Sequence, residues 1–230
     1  MASSNCWYRL LSGPGDFAFN MALDEALLEA MPELSRPVLR FYSWNQPAAS
    51  FGYFQKYKEI ERNTLLRPLV RRPTGGGLVP HDADWTYSLL FPPHHEWYEL
   101  PAIESYRRVH EWIQASLSGL GLTTELAAAA RRSGEGQCFV GYERFDLLCR
   151  GQKIAGAAQR RRRDGLLIQG SVQPPSITLP RNDWHQAMFD AARNRFGVDW
   201  EDFSLNTTLK TRAEELSTNK HSQKAYNQRR

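Results

Sequence analysis

Cysteine is scarce in this chain of 230 residues, which contains only Cys6, Cys138 and Cys149. Three thiols cannot all pair within one chain, so we expect free thiols in a reducing compartment. The sequence contains neither Cys-x-x-Cys nor His-x-x-x-His. Because the metal-ligand spacings of zinc sites are missing, no metal site is predicted.

Long apolar runs are also lacking. A membrane-spanning helix needs about 20 nearly uncharged apolar residues, and no stretch approaches that length. The first residues contain neither the basic nor the apolar segment of an export signal. Hydrophobic residues make up 41% of the chain and aromatic residues 12%, which excludes a disordered protein. We therefore expect a cytoplasmic protein in which residues 1–230 form a single domain.

The net charge is only +4, but basic residues cluster at Arg71–Arg72 and at Arg160–Arg163. Such a run is either a solvated turn or a binding surface for nucleic acid, a phosphorylated ligand or an acidic protein. Neither interleaved aromatic residues nor a zinc-finger or RNP motif accompanies it, so no nucleic-acid partner is predicted. An acidic protein or a phosphate group is the favoured partner.

Hydrophobic periodicity predicts an α+β fold. Apolar residues recur at helical spacing after Asp16, a residue type that caps helices, and predict a helix over Asp16–Met31. Asp164-Gly165 is typical of a hairpin turn. Further strands are predicted at Pro37–Trp44, Leu69–Arg72, Thr86–Phe91, Phe145–Cys149, Lys153–Gln159 and Leu166–Val172, and further helices at Ile103–Leu117, Asn182–Phe196 and Thr207–Leu216. We expect one domain with a mostly antiparallel sheet flanked by helices.

A glycine-rich motif lies between two of these strands. It reads Arg71-Arg72-Pro73-Thr74-Gly75-Gly76-Gly77, followed after three residues by His81-Asp82. Consecutive glycines suit a loop that a ligand or another backbone approaches closely, and their amides could hold a carbonyl or phosphate group. The alternative is a flexible connection. The spacing fits neither a P-loop nor a Rossmann motif, so nucleotide binding does not follow.

A second motif, Gly151-Gln152-Lys153-Ile154-Ala155-Gly156-Ala157-Ala158-Gln159, places a lysine among small residues. Strand alternation predicts Lys153, Ala155 and Ala157 on one face of the sheet. The ammonium group could then reach into the space above the small residues and bind an acyl carbonyl or a phosphate. The alternative is a solvent-exposed lysine beside a turn.

In this order, the two motifs resemble those of the biotin/lipoate protein ligase and transferase superfamily. The resemblance begins in the Asp16 helix, with its run Asn20-Met21-Ala22-Leu23-Asp24-Glu25, and extends to Val172. It implies an α/β catalytic domain that attaches octanoyl or lipoyl groups to a lysine of an acidic lipoyl domain. It also implies that Lys153 holds the acyl carbonyl and that the substrate-binding residues are Arg71, Arg72, Thr74, Gly75, Gly76, Gly77, His81, Gly156 and Ala157.

Cys138 decides between the two chemistries of this superfamily. It precedes Lys153 by 15 residues (153 − 138), which resembles the cysteine segment of octanoyltransferases related to the ligases. The resemblance therefore implies transfer of an octanoyl group from octanoyl-acyl carrier protein through a Cys138 thioester, without a cofactor. The acceptor would be a lipoyl domain or the glycine-cleavage H-type carrier protein.

Two alternatives remain open at this point. One is an ATP-dependent lipoate-protein ligase, which would use ATP and Mg²⁺, form lipoyl-AMP and rely on Lys153. The other is a non-catalytic acyl-binding homologue. His81 is predicted to orient substrate or to transfer a proton. Asp82 is either its hydrogen-bond partner or the start of a turn.

Overall fold

The computed structural model describes residues 5–131, 141–174 and 179–230. In this part of the chain, strands form two sheets. The strands are β1 (Cys6–Gly15), β2 (Val38–Trp44), β3 (Ala48–Phe51), β4 (Leu69–Arg71), β5 (Val79–His81), β6 (Trp85–Phe91), β7 (Glu125–Leu126), β8 (Leu147–Cys149), β9 (Gln152–Arg162), β10 (Gly165–Val172) and β11 (Asp199–Asp202).

Helices cover both faces of the larger sheet. They are α1 (Phe17–Leu34), α2 (Tyr57–Asn63), α3 (Glu96–Glu99), α4 (Ala102–Gly119), α5 (Arg181–Phe196), α6 (Thr207–Leu216) and α7 (Lys224–Asn227), with a short π-helix at Ser217–His221. None of the helices in the described ranges combines the length and apolar character needed to cross a bilayer.

The larger sheet has the strand order β11-β1-β2-β6-β10-β9-β8-β7. Strand β1 runs parallel to β2 and β11, whereas the neighbours from β2 to β7 are antiparallel. A smaller sheet has the order β4-β3-β5. The predicted α+β fold with a mostly antiparallel sheet is therefore confirmed.

Two apolar layers bury the larger sheet. On one face, α4 and α5 pack over an aromatic cluster that includes Trp7, Phe41 and Trp112. On the other face, α1 and α6 pack over aliphatic residues such as Leu90 and Leu167. Because both faces are covered, every residue of β6 and β10 is buried. Burial therefore does not alternate along either strand.

Helix α1 begins where its sequence predicts and ends three residues later than predicted. The Asp16 side chain accepts hydrogen bonds from the amides of Ala18 and Phe19, which satisfies donors that lack a partner within the helix. At the other end, Ser35 adopts a left-handed conformation, with φ of 55°. The predicted helix with its Asp16 cap is confirmed, and it continues three residues beyond Met31.

A buried ion pair fixes α1 to the sheet. Asp24 of α1 lies 2.6 Å from Arg40 of β2, and both side chains are fully buried. The Asp24 carboxylate also accepts hydrogen bonds from Tyr42, Ser88 and Gln169. These donors come from three strands, so one carboxylate holds the helix over the middle of the sheet.

The C-terminal segment folds back against both α1 and the smaller sheet. Glu25 of α1 binds Lys220 and His221 at 2.6 and 2.9 Å. Although burial disfavours its charge, hydrogen bonds from these two residues lower the pKa of Glu25 to about 2. This contact fixes the position of α7 and the basic residues beyond it.

The arginine run does not form one patch, because most of it belongs to a strand. Strand β9 continues to Arg162, so Arg160 and Arg162 point to one face and Arg161 to the other. The hairpin predicted at Asp164-Gly165 is confirmed. The prediction did not include β1, β3, β5, β7, β11, α2, α3 or α7.

Removing the Asp24 carboxylate leaves Arg40 charged and buried without its counterion. We expect Asp24→Ala to lower the free energy of unfolding by about 3–5 kcal/mol, measured by urea denaturation. The matched control is Asp202→Ala, which breaks an ion pair with Arg9. The Asp202 side chain is 76% exposed. The control should change stability little, and equal losses in the two variants would contradict the role assigned to Asp24.

Candidate active site

A cavity of about 480 Å³ opens where the glycine-rich loop meets β9 and β10. This volume includes space that is open to solvent. The wall combines apolar and polar side chains from both sheets and from α1. They are Met21, Tyr42, Trp44, Ser50, Arg72, Gly76, Val79, His81, Thr86, Lys153, Gly156, Ala157, Ala158, Gln169, Gly170 and Ser171.

Lys153 reaches this cavity because of a bulge in β9. Leu148 pairs with Lys153 and Leu147 with Ala155, so Ile154 has no partner in β8. The extra residue shifts the side-chain alternation. Ile154 and Ala155 both pack into the core, and the Lys153 side chain lies over Gly156. The prediction that Lys153 and Ala155 share a face, opposite Gly156, is therefore wrong.

Gly156 leaves the space in which Lys153 lies. A Cβ atom at this position would be 2.7 Å from Lys153 Cε and 2.8 Å from Nζ. Both distances are shorter than real Cβ contacts, so any side chain would displace the lysine. Glycine at position 156 therefore makes room for the Lys153 side chain, as the run of small residues in the sequence suggested.

Asp146 holds the ammonium group of Lys153. The distance from Lys153 Nζ to Asp146 Oδ2 is 2.7 Å, and the carboxylate is fully buried. Asp146 also accepts hydrogen bonds from the amide of Glu143 and the hydroxyl of Tyr106. Burial, together with the negative charge of Asp146, raises the pKa of Tyr106, so this hydroxyl remains a donor. Asp146 precedes β8 in the sequence, and nothing in the spacing indicated that it would reach Lys153.

Arg72 shapes the glycine-rich loop. Its guanidinium donates to the carbonyl oxygens of Gly75 and Gly77 at 2.9 and 2.8 Å and to Ser50 Oγ at 2.8 Å. Gly76 has a φ of 81°, which glycine adopts without steric cost. Its carbonyl approaches Gly52 so closely that a Cβ atom there would collide with it. The close approach of the loop therefore requires glycine at position 52, just after β3.

Arg71, predicted to bind substrate, does not line the cavity. It is fully buried, and its guanidinium donates to carbonyl oxygens of Tyr53, Gln55 and Asn227 at 2.7–2.8 Å. Neighbouring residues of a strand point in opposite directions, so only one of the two arginines can face the cavity. The structure thus gives Arg71 the role of fixing α7 to the smaller sheet.

The other predicted binding residues fall into two groups. Arg72, Gly76, His81, Gly156 and Ala157 line the cavity, as does Lys153. Thr74, Gly75 and Gly77 lie behind the wall. Thr74 donates to Gln169 Oε1 at 2.8 Å, and the two glycines supply the carbonyls bound by Arg72.

His81 binds Asp84 rather than Asp82. The distance from His81 Nδ1 to Asp84 Oδ2 is 2.8 Å, and the distance from Nε2 to Ser50 Oγ is 2.6 Å. The ring stacks on Trp44 with centroids 4.1 Å apart. Sequence reasoning missed Ser50, Trp44 and Asp84. The one signal in the sequence for these contacts is that Asp84 follows His81 by three residues, across a turn.

Asp84 is ionised and buried beneath the cavity wall. It accepts hydrogen bonds from Thr86 and Ser171 in addition to His81. Burial disfavours its charge, but the His81 ring and these hydroxyl donors hold the pKa of Asp84 below its ordinary value. The carboxylate thereby fixes the side chains of three residues of the wall.

Cys138, the predicted nucleophile, lies outside the described residues, and its role stays a prediction. Cys149 is buried in the aromatic core cluster. Cys6 is partly buried, with its thiol 3.7 Å from Arg36 Nη1 and 3.8 Å from Glu201 Oε2. Both of these thiols occupy packing positions away from the cavity.

A basic concavity lies beside the glycine-rich loop. It contains Tyr53, Arg160, Arg162, Lys220, Tyr226 and Arg229. The guanidinium carbons of Arg160 and Arg229 lie 4.8 and 3.9 Å from the centroid of the Tyr53 ring. Arg161 lies on the opposite face and donates to Tyr98 O and Ser105 Oγ. The C-terminal contribution to this surface was not predicted from the arginine run.

Residues 16–173 match the family model of the lipoyl protein ligase A/B catalytic domain. The chain belongs to this family. Octanoyltransferase LipM of Halalkalibacterium halodurans is 38% identical over 179 residues, which are 72% of this chain and 65% of that protein. Octanoyltransferase LipM of Bacillus subtilis is 38% identical over 181 residues, or 72% and 64% of the two chains. The match thus spans slightly less than two thirds of these relatives.

Solved structures of lipoate protein ligases share this fold, and their sequence identity to this chain is lower. Lipoate-protein ligase A bound with ATP has a TM-score of 0.81 at 21% identity, covering 97% of this chain and 98% of that one. Protein Ta0514 of T. acidophilum with bound lipoic acid has a TM-score of 0.79 at 23% identity, covering 97% and 99%. A bipartite lipoate protein ligase from Thermoplasma acidophilum, solved with its E2 lipoyl domain, has a TM-score of 0.74 at 21% identity, covering 98% and 97%.

The contacts of Arg72 predict that the glycine-rich loop becomes more dynamic when the guanidinium group is replaced. Arg72→Lys retains the charge but cannot bind both glycine carbonyls and Ser50 in the same planar arrangement. We expect amide hydrogen exchange across residues 73–78 to accelerate about 10-fold or more, since charged hydrogen bonds of about 1.5–3 kcal/mol are lost. The control is Arg67→Lys, another arginine that binds backbone carbonyls, which should leave this peptide unchanged. Unaltered exchange in Arg72→Lys would contradict the assignment.

Proposed function

We propose that the protein is an octanoyltransferase in lipoate cofactor assembly. It would take an octanoyl group from octanoyl-acyl carrier protein and transfer it to a lysine of a lipoyl domain or of the glycine-cleavage H-type carrier protein. Two sets of observations support this proposal. The chain belongs to the ligase A/B catalytic family and is 38% identical to the two octanoyltransferases named above, and its cavity combines the Lys153 ammonium group with an apolar stretch of wall.

The arrangement of Lys153, Asp146 and Gly156 carries the proposal. It presents an ammonium group, held at 2.7 Å by a buried carboxylate, to a cavity whose β9 wall is otherwise made of small residues. A fixed cation stabilises the negative charge that develops on a carbonyl oxygen during acyl transfer. The apolar stretch of the wall, including Met21, Trp44 and Val79, suits a hydrocarbon chain.

The proposed reaction proceeds in two steps through Cys138. Its thiolate attacks the carbonyl carbon of the octanoyl thioester, the bond from that carbon to the carrier's sulfur breaks, and the carrier leaves as a thiolate. The neutral amine of the acceptor lysine then attacks the Cys138 thioester, the Cys138 thiolate leaves, and the amine's proton passes to water as the amide forms. In both steps, Lys153 would stabilise the oxyanion. Neither step consumes a nucleotide.

The basic concavity supports an acidic carrier protein as the partner. Four cations, Arg160, Arg162, Lys220 and Arg229, surround it. Arg162 and Lys220 pair with the Glu25 carboxylate in the same wall, and the net charge of the concavity remains positive. Strand β9 carries both features, because Ala158 lines the cavity and Arg160 lies only two residues further, about 7 Å along the strand. A carrier bound at this surface would therefore present its acyl group beside the glycine-rich loop.

Intact-mass measurement with octanoyl-acyl carrier protein tests the proposal. We expect the protein to gain one octanoyl group, the Cys138→Ala variant to gain none by this route, and a lipoyl domain to receive the group without ATP. Lipoylation that requires ATP and survives Cys138→Ala would instead identify a lipoate ligase. Bound fatty acid with neither product would identify a non-catalytic binding protein.

The close contact at Gly156 provides a sharper test of Lys153. Gly156→Ala should displace the ammonium group and lower kcat for octanoyl transfer on the order of 10²-fold, the typical effect of losing one oxyanion donor. The control is Gly119→Ala, where a Cβ atom meets nothing within 4 Å, and it should retain full activity. Full activity in both variants would exclude a role for the position of Lys153.

Charge removal in the basic concavity should affect binding of the carrier more than chemistry. We expect Arg160→Gln combined with Arg229→Gln to raise KM for octanoyl-acyl carrier protein several-fold at low salt, with little change in kcat. The difference should shrink as salt screens the attraction. Arg193→Gln with Arg195→Gln removes the same charge from α5 as a control. An unchanged KM at low salt would contradict docking at this surface.

A further inference from the structure

Three buried side chains beside the cavity form a continuous hydrogen-bond chain. Ser50 Oγ lies 2.6 Å from His81 Nε2, and His81 Nδ1 lies 2.8 Å from Asp84 Oδ2. The residues come from β3, β5 and the turn before β6. Hydroxyl, imidazole and carboxylate therefore meet in the order and at the distances of a serine hydrolase triad, on an unrelated fold.

The partners of Asp84, His81 and Ser50 determine how each group is oriented in this hydrogen-bond chain. The Asp84 carboxylate accepts hydrogen bonds from the hydroxyls of Thr86 and Ser171 and lies 2.8 Å from His81 Nδ1. With Nδ1 bonded to the carboxylate, Nε2 is the ring nitrogen that faces the Ser50 hydroxyl, at 2.6 Å. Arg72 Nη1 donates to the same oxygen at 2.8 Å. The serine oxygen thus faces a base on one side and a cation on the other.

Packing holds the base in this orientation. The His81 ring stacks on Trp44 at 4.1 Å, and Asp84 is fixed by Thr86 and Ser171. A base fixed by a third group is the arrangement that activates a weak nucleophile. Ser50 and His81 both belong to the wall of the cavity that contains Lys153 and Gly76, so an acyl carbonyl in that cavity lies on the same side as the hydroxyl.

We propose that Ser50 is a second nucleophile of this cavity and that the protein hydrolyses medium-chain acyl thioesters and activated acyl esters through an acyl-Ser50 intermediate. Ser50 Oγ attacks the carbonyl carbon, and its proton passes to His81 Nε2. The bond from carbon to the leaving group breaks, and the thiol or alcohol leaves with that proton. Water then attacks the Ser50 ester, transfers a proton to His81, and releases the carboxylic acid as Ser50 regains its proton.

This activity goes beyond the proposed transferase function because it does not involve Cys138. The experiment therefore uses the full chain with Cys138→Ala. We expect it to release nitrophenol from p-nitrophenyl octanoate and to form one adduct with an alkyl fluorophosphonate. Tryptic mapping should place the adduct on Ser50. Ser50→Ala should abolish both signals, and Asp84→Asn should slow adduct formation on the order of 10²-fold, the usual contribution of a positioned base.

The matched control is Ser116→Ala, which removes another buried serine hydroxyl, bonded to Ile113 O within α4, and should leave both rates unchanged. An adduct on Ser171 or any other serine, or no adduct, would overturn the proposal. Mapping needs no variant at Ser50, so a folding defect in Ser50→Ala cannot hide the result. Because Cys138 is absent, failure here leaves the proposed transfer standing, and failure of the transfer leaves this result standing.

Discussion

Buried carboxylates must have their acceptor positions filled, and this constraint organises the site. Asp24, Asp84 and Asp146 lie beneath or beside the cavity, and each is almost completely inaccessible to solvent. An unpaired charge in such surroundings would cost several kcal/mol, so neighbouring donors turn toward the three carboxylates. The cavity wall consequently has side-chain positions that are fixed before any ligand binds, as preorganised electrostatic catalysis requires.

The same constraint explains how polar residues could line the proposed site for a hydrocarbon chain. Thr86 and Ser171 donate their only hydroxyl proton to Asp84, and Gln169 donates to Asp24. These side chains use their donors on the carboxylates behind them. They present less polarity to the cavity than their residue types suggest, and the lysine at the end of the wall supplies a strong donor where a carbonyl would lie.

Short-range sequence patterns predicted the helix and the turn, whereas the pairing register of the strands determined which side chains reach the site. The N-cap and spacing of α1, and the Asp-Gly turn between β9 and β10, are encoded within a few residues, and both are confirmed. Lys153 depends on a bulge that appears only when β8 pairs with β9, so simple alternation put it on the wrong face. Alternation would have separated Arg71 from Arg72, since adjacent residues in β4 and its continuation point apart. Ser50 joins His81 only through tertiary contact, and Cys138 stays a prediction.

Under the proposed function, the glycine-rich loop would link carrier binding to the cavity. Arg160 donates to the carbonyl of Pro73 at 2.8 Å, one residue before Thr74 and two before the first glycine bound by Arg72. Arg72 in turn binds Ser50, which is bonded to His81. A partner that competes for the guanidinium of Arg160 would weaken its bond to Pro73, while the Arg72 contacts still hold the glycine carbonyls. Occupation of the basic concavity would therefore loosen the start of the loop and leave the cavity wall intact, which admits an acyl arm without rebuilding the site.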